Sequence, residues 1–145
     1  MKLVLEVIYM LKGSQYGEYR ITWFNTAIKS LAILAATNEL MSSNSLAEKL
    51  GIESSFIRKV LAKLMEDNLV IGYGGRYGGY KINADPSAIT IYDVYLALMK
   101  NSVLKDETLI LNKTDQLMIQ ILEEAEAEFS KVLFNYTIAD VRDTF

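Results

Sequence analysis

A mainly α fold carrying one small β-hairpin is what these 145 residues predict. Three observations predict it. Between Asn44 and Asn83, apolar residues at helical spacing give way to two short strand-like runs. Five of the chain's eight glycines lie between those runs, at positions 72–79. Beyond residue 90, apolar residues recur at threes and fours, the signature of one helix face, most persistently toward Phe134. Composition sets the outer limits. A hydrophobic share of 51% suits one domain, or a small domain with an arm. The chain has neither cysteine nor histidine. Disulfides, thiolate nucleophiles, thiol switches and cysteine-bound clusters are excluded, and the commonest general base and metal ligand is missing.

Residues 1–19 form an N-terminal extension. Residues 3–11 are nearly all apolar, broken by Glu6. The run is far below the ~20 residues that a membrane helix needs, and no small-residue cleavage site follows it. An extra strand or helical turn, packed on the body or on a partner subunit, is expected. A first helix is expected within residues 20–38, starting near Asn25. Its face of Ala27, Ile28, Leu31, Ala32, Leu34 and Ala35 is wide enough to be largely buried. Residues 39–44 read as a loop. Ser45 and Glu48 have capping-box spacing, although several neighbouring residues could cap the next helix equally well.

The next two helices, residues 45–50 and 54–67, are separated by a tight turn. Ala47, Gly51 and Ile57 provide what a crossing of two short helices needs. These are a small residue for close approach, a residue that tolerates positive φ, and an apolar residue in the angle between the helices. Leu46, Leu50, Ile52, Val60, Leu61 and Leu64 complete the inner faces. Leu69-Val70-Ile71 and Tyr80-Lys81-Ile82 then read as the strands of a hairpin. That order is a winged helix-turn-helix, residues 20–86. Such a unit lays its second helix in the DNA major groove and its hairpin beside the phosphates.

Candidate DNA-binding residues follow. Ser54 and Ser55 stand where helix N–H groups and small hydroxyls meet a phosphate. Arg58, one turn in, can reach a guanine edge bidentately, and Lys59 and Lys63 suit phosphates. The plain alternative is three solvated charges balanced by Glu66 and Asp67. Arg76 is the only charge at the hairpin tip and can enter a narrow minor groove, while Tyr77 and Tyr73 can bond phosphate or simply pack. A nucleotide-binding loop is rejected for this glycine-rich tip. A strand follows it rather than a helix, and the Lys-Ser/Thr pair is absent.

Residues 87–145 are expected to hold dimerisation helices. Thr90 and Asp93 have capping-box spacing and open a helix to about residue 101. A connector, residues 102–112, carries the apolar stretch 109–111. Asn112 or Thr114 then caps a long helix to about Phe134, where Leu117, Ile121, Leu122, Ala125, Phe129, Val132 and Leu133 recur at helical spacing. A rod of roughly 30 Å has more apolar face than a small domain can cover, so pairing with a second copy is expected. Packing within the chain is the alternative. Thr137 and Asp140 start a short last helix. Net charge divides unevenly: +3 over residues 20–81, −6 over 82–145 and zero over 1–19. The basic share lies in the half expected to meet DNA. Trp23, Phe24, Tyr92, Tyr95 and Met99 could line an effector pocket, although aromatics at helical spacing more often serve as core.

From about Tyr19 to Val141 the sequence resembles the Rrf-type family of bacterial winged-helix repressors, which includes IscR, NsrR and CymR. Leu46-Ala47-Glu48-Lys49-Leu50-Gly51-Ile52, Ser55-Phe56-Ile57, Leu61-Ala62-Lys63-Leu64 and Asn68-Leu69-Val70 carry the likeness. So do Thr90-Ile91-Tyr92-Asp93-Val94 and Tyr136-Thr137-Ile138-Ala139-Asp140-Val141. Its most specific piece is Gly75-Arg76-Tyr77-Gly78-Gly79-Tyr80-Lys81-Ile82, similar to the family's glycine-rich wing. The resemblance implies a homodimer, crossed through its long helices, that binds a roughly palindromic double-stranded operator.

Two departures qualify it. Many members hold an iron–sulfur cluster through cysteines between the helix after the wing and the dimer helix. Residues 100–113 here have none, so no cofactor is expected. The trigger is then a small-molecule effector, a protein partner, or nothing beyond DNA affinity. Glu53 stands where the family often has a serine cap. The expected function is that of a sequence-specific regulator, a repressor in the cytoplasm, away from any membrane. A winged helix that docks proteins without binding DNA is the rival. An enzyme is disfavoured, because only scattered carboxylates and serines are available.

Overall fold

The structure is a computed structural model in which residues 15–99 and 112–145 are described. The expectations for residues 3–11 and for the connector up to residue 111 lie outside them. The elements run α1 (Gln15–Ala35), α2 (Ser43–Leu50), α3 (Ser54–Glu66), β1 (Val70–Tyr73), β2 (Gly79–Ile82), a 3-10 turn (Pro86–Ala88), α4 (Ile91–Met99), α5 (Lys113–Phe134) and α6 (Ile138–Arg142).

α1 begins at Gln15, some ten residues before the expected start near Asn25. The run through Thr22, Trp23 and Phe24 is rich in β-branched and aromatic residues, which locally disfavour helix. Tertiary contacts override that preference. Trp23 meets the Phe56 ring of α3 edge-on at 5.0 Å, and Phe24 meets the Tyr95 ring of α4 at 6.3 Å. Farther along, Ala27, Leu31 and Leu34 are buried in the centre of the molecule.

The α2–α3 pair forms as its residues demand. Ser42, rather than Ser45, is the N-cap of α2, and its hydroxyl accepts from the Ser45 N–H at 3.1 Å. Gly51 ends α2 in the left-handed region at φ 65°, which lets the Ile52 N–H reach the Ala47 carbonyl at 3.1 Å. Ile57, Val60, Leu61 and Leu64 of α3 are fully buried against Leu46 and α1.

α3 closes in a Schellman motif. The Leu69 N–H donates to the Leu64 carbonyl and the Asn68 N–H to the Met65 carbonyl, both at 3.0 Å. Asn68 takes φ 57° there, the only non-glycine residue at positive φ among those described. The Asn83 side-chain amide donates to the Asn68 carbonyl at 2.8 Å, tying the far end of the hairpin to the helix end. Asn68→Ala should therefore destabilise the fold by about 1 kcal/mol, because alanine lacks the short polar side chain with which asparagine tolerates this region. Asn68→Gly should be nearly neutral. Urea midpoints of the two variants check the difference.

The hairpin pairs Val70 with Ile82 and Tyr73 with Gly79. Gly72 and Gly79, expected in the tip, belong to the strands, so the tip narrows to residues 74–78. β2 is the central strand, because Met41 bridges its other side: the Met41 and Tyr80 backbones exchange hydrogen bonds of 3.0 and 2.8 Å. The supposed loop before α2 is thus a one-residue edge to the wing, fixed to it by main-chain bonds.

α4 and α6 share the core of the winged helix. Val94 and Ile138 are fully buried there, and a bridge between Thr90 and Thr137 joins the segments that lead into them. Capping boxes hold the starts of α4, α5 and α6: Thr90 with Asp93, Asn112 with Asp115, and Thr137 with Asp140. Asp85 caps the 3-10 turn. The Ser87 hydroxyl and backbone N–H both donate to its carboxylate, which holds its pKa below the ordinary carboxylate value. Of residues 87–145, the long α5 stands out, since none of its residues is fully buried. It meets the body near its C-terminal end, where Phe129 packs on Tyr95 at 5.3 Å and Phe134 on Tyr92 at 4.4 Å.

Candidate nucleic-acid interface

With Ile57, Val60, Leu61 and Leu64 turned inward, α3 presents three outer aspects. Ser55, Lys59, Ala62 and Glu66 form the exposed ridge. Ser54, Arg58 and Met65 lie on the flank toward α2 and the wing. Phe56 and Lys63 lie on the opposite flank, against α1.

The flank toward the wing is the more organised. Arg58 donates from one guanidinium nitrogen to the Ser54 hydroxyl at 3.3 Å and the Ser43 hydroxyl at 3.4 Å. Both partners are neutral, so the guanidinium keeps its full charge for a ligand, and two helix N-termini converge on it. A groove continues from Ser42 and Ser43 past Met65 to the wing, where Gly72, Tyr73 and Tyr80 form its far wall. At the tip, Arg76 and Tyr77 are exposed, with the guanidinium carbon 5.7 Å from the Tyr77 ring centroid. Tyr77 is 86% exposed. A ring so far out of the core does nothing for packing.

The sequence-predicted residues divide accordingly. Ser54 and Arg58 are joined to each other, Ser55 and Lys59 share the outer ridge, and Arg76 and Tyr77 share the wing tip. Lys63 is not among them. Its ammonium lies 5.7 Å from the Trp23 ring centroid, on the flank away from the wing. Ser43 was missed. Its signal was the Ser42-Ser43-Asn44-Ser45 run, read only as a supply of caps. The apolar residues expected at the dimer seam also divide, Leu133 packing inside its own chain. Leu117, Ile121, Ala125 and Val132 are exposed, Leu122 is half-buried, and Phe129 is engaged by Tyr95 within its own chain. Phe24, Tyr92, Tyr95 and Met99 pack with Phe129 and Leu133 in one cluster, so they serve as core. Trp23 sits apart from them, on Phe56.

A helix pair with an arginine on a serine-lined flank and a glycine-tipped wing has its counterpart among known proteins. The family described as Rrf2, iron-dependent transcriptional regulator, matches residues 22–144. The chain belongs to the Rrf2 family. It is a winged-helix, DNA-binding transcriptional regulator, and the family is one of regulators rather than enzymes. YffB of Lactococcus lactis, which carries the name of an HTH-type transcriptional regulator, is 29% identical over 115 residues, 73% of this chain and 74% of that protein. Protein aau3 of Rhizobium meliloti is 29% identical over 124 residues, 81% of this chain and 80% of its own. Among solved structures, IscR of T. potens superposes with a TM-score of 0.67 at 22% identity, covering 86% of each chain. CymR, the global cysteine regulator of B. subtilis, gives 0.61 at 22% identity, over 86% of this chain and 95% of its own.

The iron in the Rrf2 description does not fit this member. Iron–sulfur clusters are held by thiolates, with imidazole as the common substitute, and the sequence contains neither. Among the described residues no three acidic side chains come together as a metal site either, nor is any helix long and apolar enough to cross a membrane.

Proposed function

We propose that this Rrf2 protein is a homodimeric repressor that acts in the cytoplasm on a roughly palindromic operator. In it, α3 lies in the major groove and the wing lies on the adjoining backbone or minor groove. The observation that carries the reading is the common flank of Arg58 and the wing. A guanidinium with only neutral partners bonds Ser43, which lines the groove that runs to the wing, and a second arginine stands at the tip of that wing, so one duplex can meet both. Lys59, on the outer ridge, adds a phosphate contact. The exposed apolar stripe on α5 supports pairing with a second copy. Repression needs only that the dimer occupy DNA that polymerase must also use. Without a cysteine or histidine sensor, control falls to a small molecule, a protein partner or protein abundance.

Arg58→Ala tests the placement. It should weaken specific binding by about 1–3 kcal/mol and relax one base preference per half-site. Titrations against genomic fragments retained by the wild type, followed by fluorescence anisotropy, give the answer. Unchanged affinity and selectivity would remove Arg58 from the interface.

A further inference from the structure

Glu53 stands at the head of the reading helix without a role in holding it. It occupies the N-cap of α3, yet its side chain makes no capping hydrogen bond. Only its main chain serves the helix, its carbonyl accepting from the Phe56 and Ile57 N–H groups at 3.0 and 3.1 Å. The side chain is exposed, and no described residue gives it a hydrogen bond or an ion pair. It borders an open groove at the α2–α3 turn, together with Asn44, Gly51, Ser54 and a second carboxylate, Glu48. Against DNA such a group is costly, because phosphates within a Debye length repel it.

What a carboxylate can gain there follows from its chemistry. Ionised, it accepts hydrogen bonds and donates none. In the major groove, guanine shows only acceptors, and thymine shows an acceptor and a methyl group. Cytosine alone shows an amino donor with no acceptor beside it. The first residues of a recognition helix are the ones that reach base edges.

We propose that Glu53 is a specificity-determining residue that accepts a hydrogen bond from the N4 amino group of a cytosine and turns away guanine and thymine at that position. The inference rests on the placement of α3 in the major groove given above. Removing the carboxylate loses this discrimination and at the same time strengthens sequence-independent binding, since a repulsive charge disappears. The amide of glutamine both donates and accepts, which matches the adjacent N6 and N7 of adenine.

The experiment is selection from a fully random duplex library by the full-length wild-type, Glu53→Gln and Glu53→Ala proteins. The wild type should enrich cytosine about tenfold at one position of each half-site. Glu53→Gln should move that preference to adenine, and Glu53→Ala should leave the position flat, with the rest of the motif kept in all three. Thermal unfolding runs alongside, because a role confined to the helix dipole would lower both variants' midpoints and leave the motif intact. A wild-type motif that lacks the cytosine, or one shared unchanged by all three proteins, overturns the role of Glu53 alone. Failure of the wild type to enrich any sequence overturns the major-groove placement with it.

Discussion

Gly78→Ala should disable the wing while the body stays folded. A Cβ built on Gly78 would lie 2.1 Å from the Tyr73 carbonyl oxygen and 2.8 Å from the Gly74 carbonyl carbon and oxygen. All three are backbone atoms, so no rotamer change relieves the clash. The only escape is to part the strands at the Tyr73–Gly79 pair, which opens the turn closed by the Gly78 N–H on the Gly75 carbonyl at 3.1 Å. Overpacking of this kind costs about 1–3 kcal/mol. The core of α1, α3, α4 and α6 does not pass through the tip and should persist. DNA affinity should fall about ten- to hundredfold as Arg76 loses its fixed position, the equivalent of ~1.4–2.8 kcal/mol. Gly74→Ala is the matched control, because nothing lies within 4 Å of its Cβ and its φ is ordinary. Anisotropy titrations give the affinity, and amide exchange over residues 70–82 reports whether the hairpin has opened.

The contrast between these glycines shows what a sequence carries and what it withholds. A glycine-rich tip was legible as a tip because glycine has little other use between two apolar runs. Which glycine is indispensable was not, since that depends on where the Tyr73 carbonyl ends up. The same division holds elsewhere. The helix-turn-helix could be read because Ala47, Gly51 and Ile57 answer a local geometric demand at fixed spacing. Two capping boxes, Thr90 with Asp93 and Thr137 with Asp140, could be read for the same reason, each being a bond between residues three apart. Tertiary choices were not legible. α1 is already helical at Trp23 and Phe24, ahead of the expected start near Asn25, where distant rings, Phe56 and Tyr95, receive them. Met41 becomes an edge of the wing because Tyr80 turns its main chain toward it.

On α3, residue type was legible and direction was not. Arg58 and Lys63 are both basic residues on α3, and residue type alone ranks them together. The helix turns them to opposite flanks, one onto serine hydroxyls and the other onto an indole. Glu53 was conspicuous as a missing cap, and only the free side chain at the head of α3 gives it a task. The acidic balance of the whole chain also ceases to argue against DNA. α5 alone carries Glu123, Glu124, Glu126 and Glu128, and it packs on the body through Tyr92 and Tyr95, neither of which lines the wing's groove.

Ile121→Glu should separate the subunits of the proposed dimer and remove operator binding. On α5, Leu117, Ile121, Ala125 and Val132 follow one face, and Leu117, Ile121 and Val132 are 56%, 46% and 56% exposed. Burying one such side chain contributes about 1.5–3 kcal/mol, and two-fold symmetry counts each residue twice. A glutamate at the seam removes that contribution and sets a charge in an apolar interface, facing or near its own copy. Dimer dissociation should therefore rise at least about hundredfold, the equivalent of ~2.7 kcal/mol or more. Operator affinity should fall further than for any wing variant, because a lone head holds one half-site without the effective concentration its tethered twin supplies. Gln120→Glu adds the same charge on a different face; it gives up the bond that the Gln120 amide donates to Glu124 at 3.2 Å, at a cost of about 0.2–0.5 kcal/mol within the helix, and should leave assembly intact. Sedimentation velocity separates the outcomes. If the Ile121 variant sediments with the same mass as wild type, the stripe is not the seam. If the wild type is itself monomeric, the two heads are not linked through α5, and recognition of a palindrome must be assembled on the DNA.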